Sequence, residues 1–262
     1  MARITVIIGI YNCAPTLPVA LDSLLTQTYQ DFKMVLCDDG STDDTYQVAK
    51  QYADRHENIL LIKNERNMKL AATLNHCLEY VDTEYVARMD GDDLSLPTRF
   101  EKQIGFLDAH PEYALVSCPM IYYDEDGDYG VSTAGGEPSK AAFKHGTPFC
   151  HAPVMMRREA LNDVGNYTAE PFTERIEDVY LWYKFFKAGY RGYNMAEPLY
   201  KMFNGRDAFA RRKASDRIKG YKTHAMILSG LGYSFPYVRC IPDLLKILVP
   251  KFVIRWIVKR RK

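Results

Sequence analysis

The residues best suited to chemistry fall in one short stretch, Glu84-Tyr-Val-Ala-Arg-Met-Asp-Gly-Asp-Asp93. Tyr85, Val86, Ala87 and Met89 form an alternating run long enough for a strand, which delivers Asp90, Asp92 and Asp93 to its carboxyl end before Leu94-Ser-Leu-Pro97 turns the chain away. Carboxylates this close repel one another and stay ionised only against a hard cation, helix-terminus donors or bulk water. Mg²⁺ or Mn²⁺ held by one or two carboxylates plus substrate phosphates fits the spacing. An acidic turn in solvent is the plainer alternative, since Asp and Gly are common turn residues. Two further polar pairs end apolar runs in the same way: Tyr11-Asn12 after Ile4–Ile10, and Asp38-Asp39 after Phe32–Cys37.

The elements that must position these groups alternate. Leu17, Leu21, Leu24 and Leu25 mark a helix after Thr16, and Ser41 with Asp44 reads as a capping pair for a second helix, through about Arg55. Ile59–Ile62 is a third strand, Leu70–Tyr80 a third helix and Glu84–Met89 a fourth strand. This alternation with short connections predicts a parallel sheet with right-handed crossovers and helices on both faces. Ligands of such sheets sit beyond the carboxyl ends of the strands, so Tyr11-Asn12, Asp38-Asp39 and Asp90/Asp92 belong on one rim. An aromatic ring to stack on a base, a carboxylate to bond base or ribose, and a metal for a diphosphate compose a nucleotide site.

Beyond Pro97 the pattern loosens. Phe100, Ile104 and Leu107 give a helix, Ala114–Cys118 and Met120–Tyr123 two short strands, Asp124–Gly136 an acidic, Gly-rich loop, and a helix starts at Arg158. Glu177–Gly189 is an amphipathic helix turning Val179, Leu181, Trp182, Phe185 and Phe186 to a core, with Gly189 as its C-cap. Carboxylates are stabilised at a helix N-terminus, so Glu177 and Asp178 can be caps as well as chemistry. Leu199–Phe203 reads as a strand leading into the basic stretch of Arg206, Arg211, Arg212 and Lys213.

A chain of 262 residues with 47% hydrophobic and 26% charged side chains buries a sizeable core as one large domain or one domain with appendages, which excludes disordered and fibrous classes. Its six cysteines (Cys13, Cys37, Cys77, Cys118, Cys150, Cys240) include no Cys-x-x-Cys pair, and read as reduced, mostly buried thiols facing the cytosol. Ile4–Ile10 is too short for a signal peptide, and no run of about 18 apolar residues marks a membrane span. His56, His76, His110, His145 and His224 lack metal-ligand spacing.

In order along the chain, Thr5-Val-Ile-Ile-Gly-Ile-Tyr-Asn12, Leu24-Leu-Thr-Gln-Thr-Tyr29, Leu36-Cys-Asp-Asp-Gly-Ser-Thr-Asp43, Asn67 through Leu74-Asn75, Ala87-Arg-Met-Asp-Gly-Asp-Asp93, Val164-Gly-Asn-Tyr167 and Ile176-Glu-Asp178 resemble the family-2 glycosyltransferases of the GT-A fold. These are inverting nucleotide-sugar enzymes common in bacterial surface-polysaccharide synthesis. The resemblance implies an α/β, Rossmann-like, mixed but mainly parallel sheet flanked by helices. The GT-A domain would span residues 1–213, with a nucleotide-sugar half at about 1–97 and an acceptor half at about 98–213. It further implies that Ile10 and Tyr11 hold the base, Asp39 the base or ribose, Asp92 the Mn²⁺ or Mg²⁺ directly, and Asp90 the ribose or a metal-bound water. Asp178 corresponds to the catalytic base. The resemblance also places His151 near the acceptor or diphosphate, with a satisfied structural His as the alternative, and Arg211 in a loop that closes over the diphosphate, with a solvated basic loop as the alternative. Two residues depart from the pattern: Lys69 replaces Gly in Asn-x-Gly-Leu, where it can reach a phosphate or sugar, and Gly-Asn-Tyr replaces Gly-Gly-Tyr.

The activity so implied is metal-dependent transfer of a sugar from a nucleotide diphosphate, a UDP-sugar foremost, to a hydroxyl of a polysaccharide or lipid-linked acceptor. A nucleotidyltransferase and a non-catalytic nucleotide-sugar-binding protein of the same fold are the alternatives. Glu177-Asp178 argues against both, because neither needs a base beside the sugar.

The chain's net charge of +1 hides a division. Residues 1–200 carry 18 Lys and Arg against 30 Asp and Glu, whereas 201–262 carry 16 against 3. Within the basic helical extension 214–262, Lys251, Arg255 and Lys259 recur at four-residue spacing beside Phe252, Trp256 and Ile257, after Pro250. That composition is an interfacial helix on an anionic membrane surface, and predicts a cytoplasmic protein peripheral to the inner face of the cell membrane; core packing with a frayed basic end is the alternative. Nucleic acid is disfavoured, since bulky aliphatics interrupt the basic residues.

Overall fold

The structure is a computed structural model that describes residues 2–132, 135–203, 214–241 and 244. Among the described residues eleven strands are formed: β1 (Ile4–Ile10), β2 (Phe32–Asp38), β3 (Ile59–Lys63), β4 (Tyr85–Arg88), β5 (Leu94–Ser95), β6 (Tyr113–Ser117), β7 (Met120–Asp124), β8 (Gly127–Val131), β9 (Met155–Arg157), β10 (Arg191–Asn194) and β11 (Tyr200–Phe203). The helices are α1 (Leu17–Leu25), α2 (Thr45–Ala53), α3 (Leu70–Leu78), α4 (Arg99–Ala109), α5 (Arg158–Asp163), α6 (Glu177–Lys187), α7 (Ala214–Gly230) and α8 (Pro236–Arg239).

Seven strands form one sheet in the order β10-β6-β9-β4-β1-β2-β3. β1 runs parallel to β2 and β4, β2 to β3, and β6 to β10. β9 alone is antiparallel, joining β4 to β6, so the sheet is mixed and mainly parallel as expected. Alternation in β1 feeds two cores. Val6, Ile8 and Ile10 meet α1, α2 and α4 on one face, while Ile7 meets α3, α5, α6 and α7 on the other. Ala225, Ile227 and Leu228 of α7 are buried in that second core, so α7 packs on the body built around the seven-stranded sheet.

A second sheet, β5-β11-β7-β8, lies at the turn after β4. It corrects the reading of 124–136 as a loop: Gly127–Val131 pairs antiparallel with β7. Leu94–Ser95 was expected only to turn the chain, and instead pairs with β11. None of the six cysteines forms a disulfide. Among the described residues no helix is long and apolar enough to cross a membrane. The stretch 245–262 and Arg206, Arg211, Arg212 and Lys213 lie outside the described residues.

Candidate active site

The rim forms because β1 and β2 are in register from Ile4 opposite Phe32 to Ile10 opposite Asp38, while β4 begins at Tyr85 opposite Ile4. The loops that follow β1 and β2 are stitched together. Asn12 donates its backbone N–H to Ser41 Oγ (3.1 Å) and its Oδ1 accepts from Thr42 N (2.9 Å). Ser41 is thereby occupied, and the expected Ser41–Asp44 cap is not formed; Asp43 accepts from the backbone N (3.0 Å) and Oγ1 (2.6 Å) of Thr45 at the start of α2 instead.

Asp39 is buried and organises the next loop. Its carboxylate accepts from Asn64 Nδ2 (2.8 Å), Met68 N (2.7 Å) and Lys69 N (3.0 Å). Gly40 (φ +72°) lets the turn after β2 press on that loop, where a Cβ would stand 2.9 Å from Asn67 N. Lys69 adopts φ +72°, ψ +161°, a region essentially reserved for glycine. The departure from Gly at this position is thus a real backbone strain. Asn166 (φ +55°) beside Gly165 (φ +75°) is milder, since Asn tolerates left-handed backbone.

Ile10, Tyr11, Asp39, Lys69 and Glu177 line one cavity of about 580 Å³ at this rim. Tyr11 is 47% exposed, with ring surface free for a planar ligand. Asp90 and Asp92 do not line it, but the turn they share packs on Ile10, which does. Gly91 between them is pressed on β1, where a Cβ would lie 3.1 Å from Ile10 Cγ2 and 2.9 Å from Cys13 Sγ, and its carbonyl accepts from Thr16 Oγ1 (3.1 Å).

The three carboxylates of this turn are not equivalent. Asp93 is buried, accepting from Tyr200 Oη (2.9 Å) and Phe203 N (2.8 Å). Burial, then the charges of Asp90 and Asp92, push its carboxyl well above the usual carboxylate range. Asp93 therefore anchors the turn to β11. Asp90 is partly exposed and ion-pairs with Arg88, which is buried at the end of β4. Burial works against the Arg88 charge, but Asp90 and its other neighbours raise its pKa overall, so the guanidinium stays protonated. Asp92 is half-buried, and its carbonyl accepts from Tyr123 Oη (3.3 Å).

Among the described residues no three His, Cys, Asp or Glu side chains converge on one point. Two carboxylates on a turn, with a third withdrawn into the core, suit a hard cation that takes its other ligands from water and a diphosphate. Asp92 and Asp90 would hold it.

The start of α6 faces the rim. Glu177 is mostly buried, and burial followed by the charge of Asp178 raises its pKa from 4.5 to about 7. Asp178 lines a second cavity, of about 570 Å³, on the other side of the helix start. His151 stacks edge-on against Tyr167 and Trp182 and shares a 2.8 Å hydrogen bond between Nε2 and the Tyr167 hydroxyl. Burial, then Arg88, lowers its pKa well below the ordinary value, which leaves a neutral imidazole. Tyr167 is in turn pinned to α3: Asn75 donates Nδ2 to its carbonyl (2.8 Å) and accepts from its N–H (3.0 Å).

The structure thus gathers Ile10, Tyr11, Asp39, Lys69 and Glu177 in one cavity, sets Asp90 and Asp92 beside it and Asp178 in the next, and ties His151 to Tyr167. Sequence reasoning gave no role to Arg88, Tyr200, Asn75 and Arg175. Arg88 alone left a signal, as a charge inside an apolar run.

Residues 5–165 match the model of glycosyl transferase family 2. The chain is 46% identical over 211 residues to EpsE of Bacillus subtilis, covering 80% of this chain and 76% of that one. It is 27% identical over 210 residues to the UDP-Glc:alpha-D-GlcNAc-diphosphoundecaprenol beta-1,3-glucosyltransferase WfaP of Escherichia coli, covering 78% and 79%. Among solved structures, S. aureus TarS 1-349 in complex with UDP-GlcNAc superposes with a TM-score of 0.70 at 20% identity, covering 95% of this chain and 72% of that one. The mannosyltransferase PcManGT of Pyrobaculum calidifontis, in complex with GDP-Man and Mn2+, gives 0.62 at 22%, covering 92% and 68%. These two likenesses agree on a GT-A fold. With the family model spanning more than half of its length and a relative this similar over four-fifths of it, the chain belongs to glycosyl transferase family 2.

Proposed function

We propose that this protein is an inverting, metal-dependent glycosyltransferase that moves a sugar from a nucleoside diphosphate, a UDP-sugar foremost, to a hydroxyl of a glycan or lipid-linked acceptor. The observation that carries the reading is the start of α6, where Glu177 lines the cavity of Ile10, Tyr11 and Asp39 and Asp178 lines the cavity beside it. Ile10 and Tyr11 receive the base, and Asp39 with the loop it holds meets the base or ribose. Lys69, at the cavity wall, faces the phosphates or the sugar. His151 orients the Tyr167 hydroxyl, and Arg211 is assigned to the diphosphate on family likeness.

Asp178 takes the proton from the acceptor hydroxyl, whose oxygen then attacks the anomeric carbon on the face opposite the diphosphate. Configuration inverts, and no enzyme nucleophile is needed. Asp92 and Asp90 would hold Mn²⁺ or Mg²⁺, which would supply neutralisation of the charge that develops on the departing diphosphate. UDP-linked donors are favoured by the UDP-GlcNAc complex of TarS and the UDP-Glc donor of WfaP, and a divalent ion by the Mn2+ complex of PcManGT. Residues 1–213 carry the donor side and Asp178, and 214–262 form a basic extension whose first helix packs on that body and whose last part holds the protein to the cytoplasmic membrane face.

A screen of UDP-, GDP- and dTDP-sugars for release of the nucleoside diphosphate tests this. One donor is expected to be consumed, with activity lost in chelator and in Asp92→Ala and restored to the wild type by Mn²⁺ or Mg²⁺. Full activity in excess chelator contradicts the metal assignment, and no turnover of any donor contradicts the transferase reading.

A further inference from the structure

We propose that the second cavity receives the diphosphate of a lipid-carried acceptor, so that Asp178 meets a sugar hydroxyl one residue away from that charged linkage. The proposal rests on the reading of Asp178 as the base. The cavity, of about 570 Å³, has Lys144, Arg175, Arg217 and Arg239 in its wall together with Asp178 and Asp216. Four cations from four separate segments converge there: the turn Lys140–Lys144, the loop before α6, the first turn of α7, and α8. Among the described residues only Arg175 has a carboxylate partner, Asp216 at 3.7 Å. Lys144 and Arg239 lie instead against the Tyr233 ring, at 4.6 and 6.0 Å from its centroid. Four cations against the carboxylates of Asp178 and Asp216 leave the wall with an excess of positive charge, which a doubly charged phosphate ester offsets with charge-assisted hydrogen bonds.

Two features select a lipid diphosphate over other anions. Arg175 lines both cavities and has left-handed backbone (φ +66°), so a strained residue stands between the donor side and this one. α8, which supplies Arg239, also presents an uncovered apolar surface: Phe235 is 76% exposed, Val238 61% and Tyr237 57%. A hydrocarbon chain leaving the diphosphate at Arg239 would lie on that surface. A volume in this range holds a sugar with its diphosphate, not a folded polymer.

The test measures binding of farnesyl diphosphate and of inorganic pyrophosphate to the full chain in chelator, which suppresses metal-assisted diphosphate binding at the donor side. The wild type is expected to bind farnesyl diphosphate more tightly than pyrophosphate, and Lys144→Ala/Arg217→Ala to weaken both by at least about tenfold. Arg217→Gln, which removes the charge but keeps a polar side chain on α7, is expected to weaken them at least about threefold and carries the test if the double variant does not fold. UDP with Mn²⁺ is titrated in parallel and should bind wild type and variants alike; its failure on the wild type would strike the donor reading and not this one. Wild-type affinity in the variants, or no binding of farnesyl diphosphate to the wild type, overturns the proposal. So does a loss confined to phosphatidylglycerol vesicles, which would make the cavity a headgroup contact.

Discussion

Glu177 and Asp178 are consecutive in the chain yet line different cavities, Glu177 the one with Tyr11 and Asp39, Asp178 the one with Lys144 and Arg217. Successive helical residues project about 100° apart, so a single helix start can serve two ligands. The arrangement also holds two carboxylates together at a partly buried helix start.

That proximity has a pH signature. Glu177 titrates at about 7 in the folded protein against an ordinary 4.5, so across this window the folded state keeps a proton that the unfolded chain has released. Stability contributed by Glu177 therefore falls as pH rises from about 4.5 to about 7. Glu177→Gln should flatten the melting temperature across this range and raise it near neutrality. An unchanged slope in the variant would show that Glu177 does not titrate there.

Lys69 holds backbone that costs of order 1–3 kcal/mol for a residue with a Cβ. After allowance for the entropy glycine loses on folding, Lys69→Gly should stabilise the protein by about 1 kcal/mol while weakening donor binding. Urea unfolding and donor titration give both numbers. A lower urea midpoint would contradict the strain, and unchanged donor affinity would remove Lys69 from the site.

The Tyr200 hydroxyl accepts from Asp90 N (3.2 Å) and donates to Asp93 (2.9 Å), while its ring stacks under Arg99. Tyr200→Phe keeps the ring and strips both hydrogen bonds from a buried site, which should cost about 1–3 kcal/mol. Denaturant melts check this; a loss well under 1 kcal/mol would mean that water replaces the hydroxyl.

The rim strands were legible because β1, β2 and β4 are almost wholly buried and stand out as apolar runs closed by polar pairs. β8 was not, since Gly127-Asp-Tyr-Gly-Val131 is exposed and glycine-rich, and becomes a strand only through pairing with β7. Spacing could not separate Asp93 from Asp90 and Asp92: its burial depends on Tyr200, 107 residues away. For the same reason Ser41 looked like a cap, although its partner is Asn12 across the rim.

The proposal gives residues 245–262 to the membrane surface. Each basic residue near an anionic surface adds about 1 kcal/mol, and the apolar residues add burial. Deleting 245–262 should move the protein from the membrane pellet to the soluble fraction with its melting temperature kept, and salt should weaken the wild type's binding to anionic liposomes without abolishing it. A fall in melting temperature on truncation would instead make the segment part of the core.

The central claim is that Asp178 is the base of a single displacement. The most direct measurement compares donor affinity and kcat/KM for transfer in the wild type and Asp178→Asn with the donor and acceptor that the wild type uses. The account predicts donor affinity within about twofold and transfer lower by at least about 10²-fold, as for loss of a general base. Normal turnover by Asp178→Asn would contradict it and reduce the Glu177-Asp178 pair to a helix cap.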